Sequence, residues 1–149
     1  MDLITGFLIS LASGVLASAL VLGADRLCQE SRLRERFQAL QGDWVHENLQ
    51  RESLNDSRSH ITYLKDGGLE ITSSTGYGDW HATVKMDPAL SAHGAGTFTY
   101  TDSVKGTGVI EIVLMPGGNR ILVSSTALDF VGYPPAVYWW VRPNAPAPI

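Results

Sequence analysis

Hydrophobic and polar positions change rhythm twice along the chain. Residues 3–24 carry no charge at all, 22 positions reading LITGFLISLASGVLASALVLGA. As a helix rising about 1.5 Å per residue this run measures roughly 33 Å, enough to cross a bilayer core of about 30 Å. Residues 25–40 keep a helical period but gain charge. Arg26 with Glu30, and Glu30 with Arg34, are i, i+4 pairs, while Leu33, Phe37 and Leu40 make an apolar stripe. Gly42 is the expected stop.

Beyond position 42 the period falls to two. The alternation predicts strands at 44–49, 60–64, 69–72, 80–86, 96–101, 109–114, 120–125 and 136–141. Lys65-Asp66-Gly67-Gly68 and Pro116-Gly117-Gly118-Asn119 are tight-turn signals between them. Residues 51–59 are polar and read either as a loop or as the far half of a long hairpin. About eight short strands with no helix among them favour an antiparallel barrel or a sandwich over a parallel α/β sheet. A barrel also removes exposed strand edges, and eight strands leave room inside for side chains or one small ligand. The expected organisation is a membrane helix at 1–24, a juxtamembrane helix or linker at 25–41, an all-β domain at 42–142 and a Pro/Ala tail at 143–149.

The flanks of the first run orient it. One acidic residue and no basic one precede it, whereas Arg26, Arg32, Arg34 and Arg36 follow. Basic residues close to a membrane helix stay on the cytoplasmic side, so the N-terminus should face outward and the β domain inward, as a single-pass protein of the inner membrane. The arginines also read as an anchor to anionic lipid. A cleaved signal peptide is the main rival, and Ala17-Ser18-Ala19 supplies a cleavage-like site, but the positive leading region is missing. A buried core helix would be unusually long. The lone Cys28 offers no disulfide framework, in keeping with a reducing compartment.

Within the run, Gly6, Ser10, Gly14 and Ser18 recur every fourth position. Small residues so spaced let helix backbones approach closely, and they mark the expected face of self-association into a homo-oligomer. Net charge is −4, which disfavours a long nucleic acid as partner. It leaves room for one local basic pocket.

Catalytic chemistry is not visible. His46, His60, His81 and His93 are scattered, no pair has metal-ligand spacing, and neither a nucleophile elbow nor a phosphate loop occurs. No enzyme activity, metal or cofactor is therefore expected. What remains is binding. Tyr63, Trp80, Tyr100 and Trp139 are strand aromatics, and Lys105, Arg120 and Arg142 are cations of the β region. Arginine grips phosphate and aromatic rings stack on bases, so these seven are the candidate site for a small anionic ligand, plausibly a cyclic nucleotide. Adjacent Trp139 and Trp140 must point to opposite faces of their strand.

The order of parts resembles the membrane-anchored β-barrel effectors of bacterial cyclic-oligonucleotide antiphage signalling (CBASS). The resemblance spans the chain and implies a barrel that binds a nucleotide second messenger, oligomerises and disrupts the inner membrane in antiviral defence. Those effectors usually carry two membrane helices, and this chain has room for one. Gly42-Asp43-Trp44 also looks like the G-x-W start of lipocalin-like barrels, which implies that Trp44 closes one barrel end. The alternative function is a membrane-tethered, lipocalin-like binding or scaffold protein without toxic activity.

Overall fold

The computed structural model describes residues 3–87, 92–101, 106–129 and 135–143; for residues 3–20 it describes the backbone alone. The chain divides into two units, Met1–Glu35 and Arg36–Ile149. One continuous helix, α1, runs Leu3–Gln38. The membrane-crossing expectation for 3–24, including Gly6, Ser10, Gly14 and Ser18, falls mainly on side chains outside the described ones. Among the described residues no helix is long and apolar enough to cross a membrane.

The second unit begins in the last helical turn. Leu40 and Gln41 donate back to the Phe37 and Gln38 carbonyls at 3.1 Å each, tightening the helix end. Gly42 then reverses the chain with φ +116°, a conformation that an L side chain resists. Eight strands follow: β1 Gly42–Glu47, β2 Ser53–Tyr63, β3 Gly68–Thr75, β4 Gly78–Met86, β5 His93–Tyr100, β6 Thr107–Leu114, β7 Arg120–Ala127 and β8 Ala136–Val141. Each pairs antiparallel with the next, and β1 pairs with β8, so the meander closes into a barrel. The all-β barrel expectation holds at this level. The polar stretch 51–59 resolves mostly into the far half of a long hairpin, since β2 starts at Ser53.

Alternation sorts the side chains. Trp44 and His46 of β1 point inward with Ser59 and Ile61 of β2, Leu69, Ile71 and Ser73 of β3, and Trp80, Ala82 and Val84 of β4. Phe98, Ile110, Ile112, Leu114, Ile121, Val123 and Trp140 complete the buried wall. Trp140 is fully buried and Trp139 only half-buried, as opposite faces require. The inward glycines of β5 and β6 make room for neighbours. A Cβ on Gly108 would lie 2.3 Å from the Phe98 ring, and one on Gly96 would lie 1.9 Å from the Thr83 carbonyl oxygen. Phe98 and Gly108 are register partners, so the ring lies over the bare backbone beside it.

One barrel end is plugged. Trp44 is wholly buried, and its indole N–H donates to the Leu40 carbonyl at 2.9 Å. The Arg142 guanidinium lies 4.2 Å from the centre of the Trp44 ring. Its Nη2 donates to the Ala39 carbonyl and, at 3.1 Å, to that of Gln41. These carbonyls belong to the helix exit, where backbone acceptors lack intrahelical partners, and a cation suits that end of a helix. Partial burial pushes Arg142 below the usual guanidinium value while Asp43 pulls it back up. Phe37 and Leu40 are buried in the same unit.

Candidate functional site

The described residues of the opposite end frame a cavity. The β1–β2 loop, the start of β2, the β3–β4 turn and the start of β8 surround a cavity of about 570 Å³. Its polar lining includes His46, Asn48, Ser57, Thr75 and Ser125; its rings are Tyr77, Trp80, Phe98, Tyr100 and Tyr138. Leu54, Tyr77 and Val137 are exposed apolar side chains on its rim. No Lys, Arg, Asp or Glu is among its described lining residues.

The floor is an aromatic network. Trp140 stacks with His46 at 5.6 Å and with Trp80 at 6.3 Å between ring centres. Tyr138 is tilted against His46 at 5.2 Å. Trp80 meets Phe98 at 5.7 Å, and Phe98 meets Tyr100 edge-on at 5.7 Å. Each pair has a separation suited to offset or edge contact. Burial drives the Tyr138 hydroxyl well above the ordinary phenol value; the Tyr100 charge adds to this, while the Ser125 hydrogen bond and the Trp140 indole oppose it. That indole N–H favours the Tyr138 oxygen without reaching hydrogen-bond geometry, so Trp140 Nε1 is a buried donor with no partner among the described residues.

His46 anchors a second polar chain. Its Nε2 lies 2.7 Å from Ser59 Oγ, Ser59 Oγ lies 2.9 Å from Ser73 Oγ, and Ser73 Oγ lies 3.0 Å from the Arg58 carbonyl. A carbonyl only accepts, so Ser73 spends its one hydrogen there. Ser59 must then donate to Ser73, and His46 Nε2 must donate to Ser59. Burial lowers the His46 pKa to about 4, so the ring is neutral at pH 7. A neutral ring with Nε2–H carries a lone pair on Nδ1. Ser59 is not poised as a nucleophile here, because its hydrogen points away from the histidine that would have to take it.

The six described residues among the seven expected ligand residues do not converge. Trp80 and Tyr100 line the mouth cavity. Tyr63 ends β2 at the plugged end, and Arg142 belongs to the plug itself. Arg120 and Trp139 sit on the outer face, where the Arg120 guanidinium is 6.0 Å from the Trp139 ring centre and 3.1 Å from Glu47 Oε2. That ion pair is half-buried but off hydrogen-bond axis, leaving Glu47 Oε2 without a hydrogen-bond partner among the described residues. Lys105 lies outside the described residues. The residues the sequence reading passed over are His46, Phe98, Ser125 and Tyr138. Two of them were within reach, since His46 is two positions after Trp44 and Tyr138 two before Trp140, on the same strand faces.

A second depression of about 700 Å³ opens mainly on the outside of β1 to β4. Of its two lining histidines, His60 is paired with Asp43 at 2.7 Å and His81 with Glu70 at 3.1 Å. These are exposed pairs of the kind that contribute little. Among the described residues no group of three His, Cys, Asp or Glu side chains could hold a metal ion. Comparison with protein-family models, with curated proteins and with solved structures finds no match for this chain.

Proposed function

We propose that this protein is a membrane-tethered sensor whose barrel holds a small ligand in its mouth. The observation that carries the reading is the asymmetry of the barrel. Among the described residues, Trp44 and Arg142 fill one end, whereas the other holds a ring-lined cavity of about 570 Å³ with a few hydrogen-bonding groups. A mostly apolar concavity with sparse, convergent polar groups is the usual form of a small-molecule site. The tether is the uncharged run at 3–24, read as a single inner-membrane pass with the barrel in the cytoplasm. A screen of the full chain in lipid nanodiscs tests the binding step, with cyclic nucleotides and uncharged ring compounds in the library. A true ligand raises stability by about 2.7 kcal/mol at a hundredfold excess over Kd. It also perturbs Trp80 and Tyr138 by NMR. Binding that perturbs only the outer face would refute the site.

The stronger form of the reading is an antiphage effector. In it, ligand binding favours an assembled state whose clustered helices breach the inner membrane, which requires the ligand to prefer that state. The small-residue stripe Gly6, Ser10, Gly14, Ser18 supports it, as do the exposed Val21 and Leu22 further along α1. A nucleotide would have to place its base in the cavity and keep its phosphates at the rim, because the described lining is uncharged. Overexpression with a nucleotide cyclase should then arrest growth, and Gly14→Leu should relieve the arrest while leaving membrane insertion intact. Normal growth of the wild type in both conditions would favour a passive carrier or scaffold.

A further inference from the structure

We infer that the mouth cavity takes an uncharged planar ring whose N–H or O–H donates to Nδ1 of His46. The inference rests on the binding reading above and specifies its ligand.

Three observations converge on it. The first is the direction of the polar chain. Because it ends on the Arg58 carbonyl, each hydrogen in it is committed, and His46 Nε2 is held as a donor. Nδ1 is left as an acceptor, and no hydrogen bond to it occurs among the described residues. His46 is only 1% exposed, yet it lines the cavity. An acceptor in that position is available to a donor held in the cavity, and meeting it adds one hydrogen bond.

The second observation is the lining. His46, Trp80, Phe98, Tyr100 and Tyr138 surround the space with five ring faces and edges, and no described lining residue carries a charge. Stacking on such rings is tolerant of ring type, whereas a carboxylate or phosphate pushed among them would lose its hydration with no cation among the described lining residues to replace it. The third is the rim, where Leu54, Tyr77 and Val137 expose apolar surface at the entrance.

The same ring chemistry could arrive as a free neutral compound or as the base of a nucleotide with its phosphates outside. The experiment separates these sources. Indole and 1-methylindole, which differ by the one N–H, are titrated by NMR against the full chain in nanodiscs. Indole should bind about tenfold more tightly, the worth of one buried hydrogen bond. The perturbed resonances should be those of His46, Trp80 and Tyr138. His46→Phe should abolish the preference while retaining 1-methylindole. In the wild type, long-range ¹H–¹⁵N spectra should show the Nε2–H tautomer, a readout that needs no variant.

Equal binding of the two probes, or an Nδ1–H tautomer, overturns the inference and leaves the binding reading standing. If neither probe perturbs the mouth at millimolar concentration, both fall. Where indole binds as expected, adenosine and adenosine monophosphate form the second comparison. Loss of binding on adding the phosphate supports the inference with a free neutral ring as the source. Retention supports it with a nucleotide base as the source.

Discussion

Arg142 and Trp44 are joined face to face, the guanidinium lying 4.2 Å from the centre of the indole. The pair links the last strand to the first and, through the Ala39 and Gln41 carbonyls, to the helix exit. Removing it should loosen the sealed end of the barrel. Arg142→Ala is expected to cost about 2–3 kcal/mol, a stacked cation together with two charge-assisted hydrogen bonds. Arg142→Lys should recover less than half, because an ammonium has neither the plane nor the fork. Urea melts of the two variants measure both values.

Acid should weaken the fold through His46. The folded ring resists protonation down to about pH 4, while the ordinary value is 6.5. Between those values the unfolded chain binds more protons, so stability rises with pH. The contribution is complete above pH 6.5 and is lost as pH falls towards 4, by up to about 3 kcal/mol. His46→Phe should flatten that part of the profile. A wild-type stability that is level from pH 7 to pH 4 would contradict the burial of this ring.

Two glycines should refuse the same added methyl group. At Gly96 the new Cβ would meet the Thr83 carbonyl oxygen, which is backbone and cannot swing aside. Gly96→Ala should therefore fail to accumulate as folded protein. At Gly108 it would meet the Phe98 ring at 2.3 Å and the Thr126 carbonyl oxygen at 2.4 Å, and the second is backbone as well. Gly108→Ala should likewise fail to accumulate as folded protein. Expression level and thermal melting check both variants.

Ser73→Ala should reverse a tautomer at a distance. Without Ser73 the hydroxyl of Ser59 loses its acceptor and can turn towards His46 Nε2. The imidazole would then carry its proton on Nδ1. The expected cost is about 1–3 kcal/mol for the Arg58 carbonyl left without its partner. The ¹⁵N shifts of His46 report the switch directly.

Much of the fold was legible because alternation survives wherever one strand face is buried. β8 matches its expected span of 136–141, since Tyr138 and Trp140 must share one face and Trp139 the other. The first half of β2 was not legible. Ser53 to Asp56 are exposed on both faces, so no period of two is imposed there, and Asp56 has φ +66°. The site was less legible than the fold. Arginine was read as a phosphate ligand by its chemistry, yet Arg120 is occupied by Glu47 and Trp139, and Arg142 by Trp44. Both arrangements depend on strands far apart in sequence meeting where the barrel closes, and no local pattern announces that. A large aromatic on a strand is a candidate for either a core or a pocket: Trp80 is buried in the core and lines the cavity, and Tyr100, half-buried, lines the cavity as well.

The chain of hydroxyls beneath His46 works in one direction only, because it terminates on main-chain oxygen. The cavity thus discriminates by sign: a guest offering a hydrogen is welcomed at Nδ1, and one offering a lone pair at the same point meets repulsion. That rule is set at the Arg58 carbonyl, outside the lining of the mouth cavity. It is also indifferent to which amino acid occupies position 58, since every residue brings the same carbonyl. Sequence drift at that site can alter the outer surface of the barrel without changing what the mouth accepts.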